Sequence, residues 1–315
     1  MSEHVVEDGR RRGKDGRSEL ALATAITRAA SRQTYYTIRF LVDRDRVADA
    51  YLAYAYFRWV DDRLDGDVEK AARVAFVARQ QELVECCCRG GWPSDVTREE
   101  AILVRLVQNA RGSRSGLESY IQHMMAVMTF DVDRRGRFIS QGELAEYTRH
   151  LAVAVTEALH YFIGHNHPGP QCPARYFAVT AAHITHMLRD TSEDITAGYF
   201  NIPGEVLERY RLDPGDVGHN LYRAWVESRV RLARDYFAAG KDYLAKIANW
   251  RCRLAGYAYI ARFERVLNAI ECEGYRLRSA YPECKNWWTG LRMGWSVLAQ
   301  VLWGHRPAYY HPQEA

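Results

Sequence analysis

From Glu19 onward the chain reads as one helical period after another, and this leaves little room for anything but an all-α fold. Long segments rich in Ala, Leu, Arg and Glu alternate with short breakers such as Gly90-Gly91-Trp92-Pro93, Pro168-Gly169-Pro170 and Asp213-Pro214-Gly215. No sustained apolar–polar alternation and no strand–helix–strand rhythm interrupts the pattern, which argues against an α/β enzyme. No repeat of fixed period stands out. The prolines fall mostly from residue 168 onward, between helical stretches, and read as loops rather than as a domain break. The expectation is one all-α domain over residues 19–305. A charged N-terminal tail of residues 1–18, without periodicity, is expected to be disordered, and residues 306–315 form a C-terminal tail.

Composition narrows the function classes. Apolar residues make up 48% and charged residues 26% of the 315, which excludes a mainly disordered chain, a collagen-like chain and a small disulfide scaffold. A net charge of +4 over this length is too weak to argue for a nucleic-acid partner. No apolar run approaches the ~20 residues of a membrane helix; the nearest, Tyr51 to Val60, is broken by Arg58. Arg10, Arg11 and Arg12 precede no apolar core, so no signal peptide is read. Cys86, Cys87 and Cys88 are consecutive and the other cysteines form no CxxC pair, so neither zinc nor a disulfide framework is expected. Reduced thiols in a cytoplasmic protein fit best.

Two acidic stripes carry the chemistry. In Tyr54-Ala55-Tyr56-Phe57-Arg58-Trp59-Val60-Asp61-Asp62-Arg63-Leu64-Asp65, positions 54, 58, 61 and 65 share one helix face, while the other sides are apolar or aromatic. A polar stripe on a largely apolar helix points to a wet cavity, although Asp-Asp pairs are also common at solvated helix ends. In His183-Ile184-Thr185-His186-Met187-Leu188-Arg189-Asp190-Thr191-Ser192-Glu193-Asp194, positions 183, 186, 190 and 194 again share a face. Each stripe holds an i, i+4 Asp pair with an Arg beside it. Four convergent carboxylates repel and need cations to stay ionised. Oxygen ligands without cysteine suit Mg²⁺, which keeps several waters and shares its remaining positions with substrate phosphates. Two or three Mg²⁺ ions would balance the carboxylates and a diphosphate. Such a site is built to ionise an allylic diphosphate, with metal and Arg stabilising the leaving group. Asn at Asp61 or at Asp190 is expected to cost little stability, because each relieves repulsion. No nicotinamide cofactor is expected.

At these residues the chain resembles the squalene/phytoene synthase family of all-α prenyltransferases. The family's Tyr-Ala-Phe-Cys-Arg-x-x-Asp-Asp-x-x-Asp is similar to residues 54–65. Its Asn-Ile-Leu-Arg-Asp-x-x-Glu-Asp is similar to residues 186–194, followed by Gly198 and Pro203 of its Gly-Arg-x-Tyr-x-Pro. Thr34-Tyr35-Tyr36 resembles its Ser-Phe-Tyr, and residues 266–275 resemble its Ile-Leu-x-x-Ile-Glu-x-x-Gly-Tyr. The resemblance implies a single-domain, isoprenoid-synthase-like helical bundle around a central cavity. It implies Asp61, Asp65, His186, Asp190 and Asp194 as metal ligands. It also implies Thr34, Tyr35, Tyr54, Arg58 and Arg189 as residues that hold an allylic prenyl diphosphate.

The departures bear on the reaction. Members that join two prenyl diphosphates head-to-head carry Gln-x-x-Asn where this chain has His183-Ile184-Thr185-His186. They carry Val-Ala-Gly-x-Val-Gly where it has Leu151-Ala152-Val153-Ala154-Val155-Thr156. Val153 and Thr156 fill space that a second isoprenoid chain would need. A family Arg becomes Tyr281, another becomes Tyr199, a family Tyr becomes Asn201, and a further Tyr becomes Phe263. The expected reaction is therefore transfer of a short prenyl group, such as dimethylallyl, to a small carbazole- or indole-type aromatic acceptor in specialised metabolism. Val153, Thr156 and Tyr281 would line the acceptor. His183 or His186, or the released diphosphate, would take the ring proton. Head-to-head condensation to a presqualene or prephytoene product is the second reading, with Arg276 or Arg278 replacing the lost cation. A di-iron oxidase would need two Glu-x-x-His motifs, and the chain offers one, Glu157-Ala158-Leu159-His160. Trp287, Trp288, Trp295 and Trp303 recur at near-helical spacing and read as a packing face.

Overall fold

The computed structural model describes residues 3–66, 68–110, 115–164 and 169–281. Among these residues the regular structure is eleven α-helices and two short 3₁₀ turns, with no strand, so the all-α expectation holds. The tryptophans read as a C-terminal packing face lie outside the described residues. The first helix, α1 (Glu3–Ala30), starts well inside the segment expected to be disordered. Its Arg and Glu residues tolerate helix, and once the apolar turns after Leu20 pack, propagation toward the N-terminus needs no new nucleus.

Backbone contacts divide the chain into two compact units, residues 1–133 with 153–165, and residues 134–152 with 166–315. Composition marks only one of its three boundaries: 133/134 falls at the end of a helix and 152/153 midway along another, while 165/166 lies beside the Pro168-Gly169-Pro170 breaker. The first unit holds α1, α2 (Arg32–Leu41), α3 (Val47–Asp65), α4 (Lys70–Cys88) and α5 (Glu100–Asn109). It also takes α6 (Ser115–Arg134) up to residue 133 and the second half of α7 (Gln141–Phe162). The second unit holds the first half of α7, then α8 (Phe177–Ala197), α9 (Gly204–Tyr210), α10 (Asn220–Ala245) and α11 (Trp250–Cys272).

The first unit is organised on α3, which packs against α1, α2 and α5. Leu52, Ala55, Tyr56, Phe57, Val60 and Leu64 are all buried, so most of α3 is core and the polar stripe, with Asp62 and Arg63 beside it, is left outside. The core is not purely apolar. The Tyr56 hydroxyl donates to Gln80 Oε1 at 2.9 Å, and Gln80 Nε2 donates to Glu100 Oε1 at 2.8 Å. Glu100, 1% exposed, also receives Arg79 Nε at 2.7 Å and the Thr97 backbone N–H at 2.9 Å. Thr97 Oγ1 in return accepts from the Glu100 N–H at 3.2 Å, a capping box that starts α5. One buried carboxylate thus ties α3, α4 and α5 together.

In the second unit α8 packs against α10 and α11. The approach of α8 to α10 depends on Gly240, where a Cβ would lie 3.0 Å from both the backbone nitrogen and the Cβ of Ala178. At its other end α8 stops at Gly198, in the left-handed conformation at φ 85°, whose N–H returns to the Ile195 carbonyl at 3.1 Å. A Ser140–Glu143 capping box starts α7, with the Ser140 N–H donating to Glu143 Oε2 at 2.7 Å. No helix among the described residues is long and apolar enough to cross a membrane. The described cysteines are all free thiols.

The Arg79 guanidinium bonded to Glu100 holds that carboxyl down at about 2, below its ordinary 4.5, against the opposing effect of burial. A carboxyl depressed in the folded state contributes stability above its unfolded pKa and loses it as pH falls through the folded one. Glu100→Gln should therefore lower unfolding stability at pH 7 by about 1–3 kcal/mol. The deficit relative to wild type should shrink between pH 4.5 and about 2, as read from urea midpoints at each pH.

Candidate active site

The first stripe lies on the last three turns of α3, as its spacing requires. Tyr54, Arg58 and Asp61 are half-buried, and Asp65, the last residue of the helix, is exposed. Arg58 donates from one terminal nitrogen to Asp61 Oδ2 at 3.2 Å and from the other to Asp62. Its guanidinium bridges two carboxylates of its own helix before any ligand arrives. Burial pushes the Asp61 carboxyl up to about 6, and the negative charges of Asp65, Asp131 and Asp62 add to the rise while Arg58 opposes it. Asp131, in the last turn of α6, was not singled out from the sequence. Its segment Phe130-Asp131-Val132-Asp133 lacks the i, i+4 pairing that marked the stripes.

The second stripe lies on α8, and its charges are met differently. Arg189 forms a bidentate pair with Asp190, Nε to Oδ1 at 2.6 Å and a terminal nitrogen to Oδ2 at 2.7 Å. His186 Nε2 lies 2.9 Å from the same Oδ2. Burial would raise the Asp190 carboxyl, yet these bonds from Arg189 and His186 hold it below the usual carboxylate range. Asp194 is raised by burial and by the charge of Asp190, while its bond from Asn201 Nδ2 at 2.5 Å opposes the rise. Asn201 Oδ1 in turn accepts from Arg134 at 3.0 Å, and the Arg134 guanidinium lies over the rings of Tyr147 and Tyr199, 4.7 and 4.8 Å from their centroids. The departures at Tyr199 and Asn201 thus belong to a buried clamp around Asp194. Its centre, Arg134, was missed because nothing near it in sequence marks it as part of the stripe.

The two histidines separate sharply. His186 is exposed and engaged with Asp190. His183 is 5% exposed, packs 5.1 Å from the Tyr147 ring, and has no hydrogen-bond partner at either ring nitrogen. Burial, with His186 and Arg134 nearby, pushes it down to about 3, so its imidazole is neutral.

The remaining candidates fall in several settings. Thr34 completes the cap of α2, its hydroxyl donating to Ser31 Oγ at 2.9 Å. Tyr35 is half-buried between Tyr36 and Tyr51, with Arg28 over its ring. On α7 Val153 is half-buried, whereas Thr156 is buried with its hydroxyl unpartnered. Tyr281 is buried, and its hydroxyl accepts the Arg278 N–H at 3.2 Å. Arg278 itself is paired with Glu273, and Arg276 is exposed.

Among the described residues no three His, Cys, Asp or Glu side chains converge into a ready-made metal cage. The donor set still fits Mg²⁺, which binds through one or two carboxylates together with substrate phosphates rather than through an all-protein cage. The repulsion among Asp61, Asp65 and Asp131 is the excess negative charge that such a cation would relieve.

Residues 27–288 match the squalene/phytoene synthase family pattern. The chain belongs to that family. Among solved structures, a dehydrosqualene synthase in complex with ligand matches with a TM-score of 0.68 at 16% identity, over 91% of this chain and 98% of that one. The squalene synthase HpnC from Alicyclobacillus acidocaldarius matches at 0.65 and 17%, over 84% and 97%. At these identities the likeness shows the fold. No curated protein matches the chain in sequence. Family enzymes transfer prenyl groups, so this squalene/phytoene synthase family member is a transferase of that kind.

Asp61 and Asp190 should answer mutation in opposite ways, where the sequence alone predicts that both tolerate Asn. A carboxyl raised on folding weakens the fold as pH climbs from its ordinary 3.8 through about 6. Asp61→Asn should abolish that decline in the metal-free protein and leave stability at pH 7 equal or higher. Asp190→Asn gives up charge-assisted bonds to Arg189 and His186 and should lose about 1–3 kcal/mol. Thermal unfolding of both variants from pH 4 to 8 checks the contrast.

Proposed function

We propose that the protein is a Mg²⁺-dependent prenyltransferase that ionises an allylic prenyl diphosphate, of short chain such as dimethylallyl, and passes the prenyl group to a small carbazole- or indole-type aromatic acceptor. The observation that carries the acceptor half is His183, a buried neutral imidazole with both ring nitrogens unpartnered. It stands where head-to-head enzymes of the family have Gln. A buried orphan of this kind calls for a partner, and an acceptor in reach would provide it.

Bound Mg²⁺ supplies positive charge to the diphosphate oxygens of the leaving group. In this reading Asp61 and Asp65 on one helix, and Asp190, Asp194 and His186 on another, would hold the metal. Arg58 and Arg189 would bond the diphosphate through their planar forks, exchanging part of their present carboxylate contacts for it. The allylic C–O bond breaks with its electron pair on the diphosphate. The π electrons of the acceptor ring then form the new C–C bond, and the ring regains aromaticity by losing a proton. His183 takes that proton on a ring nitrogen, and the negative diphosphate compensates the imidazolium that forms. Val153 and Thr156 narrow the acceptor space relative to the glycines of the family, favouring a flat ring over a second isoprenoid chain.

Family membership favours a second reading, head-to-head condensation of two prenyl diphosphates, which begins with the same ionisation. Incubation with Mg²⁺ separates the two. Dimethylallyl diphosphate with a hydroxylated carbazole or indole should give a prenylated ring, and farnesyl or geranylgeranyl diphosphate alone should give no C30 or C40 product. Efficient C30 or C40 formation without an acceptor would replace the aromatic reading with the second one.

Three further outcomes are expected. EDTA should stop turnover. Arg58→Lys and Arg189→Lys should each raise the KM for the donor. His183→Ala should lower kcat roughly 10²-fold while leaving the donor KM unchanged, the signature of lost proton transfer rather than lost binding.

A further inference from the structure

The second unit contains a cavity that shares no residue with either acidic stripe. Its volume is about 390 Å³, and it is walled by the start of α7, by α9 and the residue before it, and by the first three turns of α10. Pro203, Val206, Tyr210, Leu221 and Trp225 give it an apolar and aromatic lining. Two guanidiniums, Arg209 and Arg229, complete the wall. Apolar and polar groups share the lining about equally, and its size is that of small-molecule sites.

Neither guanidinium has a carboxylate partner among the described residues, although acidic side chains lie close in sequence. Glu205, which also lines the cavity, is engaged at both oxygens by the Gln141 backbone N–H, at 3.1 and 3.2 Å. Glu227 is paired with Arg231 along α10. Arg209 is exposed at the rim, while Arg229 is half-buried and its Nε is buried without an acceptor. Burial pushes the Arg229 guanidinium down from its ordinary value, with Tyr236 opposing, which is the cost of keeping a cation there without a counter-charge. An arginine with a buried, unpartnered Nε in a wall shared with Trp225 and Tyr210 is a half-completed pair.

We propose that this cavity binds a small aromatic carboxylate, with its ring system against Trp225, Tyr210 and Leu221 and its carboxylate between Arg209 and Arg229. The planar fork of Arg229 suits a carboxylate geometrically, and the apolar walls favour a flat body over a hydrated inorganic anion. The site is independent of the prenyl-transfer reading, because every residue it uses lies outside the acidic stripes.

Isothermal titration of the full-length protein with 1-naphthoate, and with the neutral 1-naphthamide as its uncharged counterpart, tests the assignment. Wild type should bind naphthoate saturably, and naphthamide at least tenfold more weakly. Arg229→Gln and Arg209→Gln should each weaken naphthoate at least tenfold. Arg209 lies at the exposed rim, so its variant serves as the test if Arg229→Gln fails to fold by circular dichroism. Asp61→Asn should bind naphthoate as wild type does, which separates this site from the donor site even if prenyl transfer is never observed. The assignment is overturned by absence of saturable binding to wild type, by equal affinity for the acid and the amide, by unchanged affinity in the Arg variants, or by loss of binding in Asp61→Asn.

Discussion

A carboxylate half-buried on an otherwise apolar helix loses hydration that something else must replace, and both stripes are answers to that constraint. On α8 the replacement is built in: Arg189 and His186 hold Asp190, and Asn201, backed by Arg134, holds Asp194. On α3 it is only partial, since Arg58 is shared between Asp61 and Asp62 while Asp65 and Asp131 add repulsion. Asp190 is settled without a ligand, Asp194 stays raised by burial and by Asp190 despite its clamp, and α3 is left with excess negative charge. That excess is what would attract a divalent cation, so the less comfortable stripe is the one poised to respond to metal.

The same constraint explains why the core around α3 tolerates Glu100. Its charge is answered by Arg79, Gln80 and Thr97, all placed by short-range structure on α4 and at the start of α5. Such a network holds helices in register only while each member is satisfied, because an orphaned buried charge costs more than the network contributes. It therefore acts as a fixed brace beneath the responsive face of α3. In the second unit the comparable brace is steric: Gly240 lets α10 lie directly on α8, which presents the Asp190–Asp194 face from a rigid backbone.

Family membership and the departures from the family pattern point in complementary directions. The four Asp residues, Arg58 and Arg189 of the family motifs are kept, and the changes include His183, His186, Val153, Thr156 and Tyr281. These changes have physical content in the structure. His183 and Thr156 are buried polar groups whose side chains lack partners, and Tyr281 is buried with its hydroxyl engaged by backbone. Orphans at altered positions are where a new specificity is most economically written.

The sequence by itself determined the helical class and the two stripes, because both rest on periodicity, and periodicity survives whatever the helices later pack against. The positions of Asp61, Asp65, Asp190 and Asp194 on single faces needed only a helix of 3.6 residues per turn. What only the tertiary structure decided is how each charge is answered. Asp131 reaches the field of Asp61 from another helix, Arg134 reaches Asp194 through Asn201 from 60 residues upstream, and His183 is stranded by the packing of Tyr147. Electrostatics and burial depend on distance in space, and a one-dimensional pattern carries distance only along a single element. For the same reason the two cuts between the units that fall at or within helices left no mark in the composition, and only the third, beside Pro168-Gly169-Pro170, did.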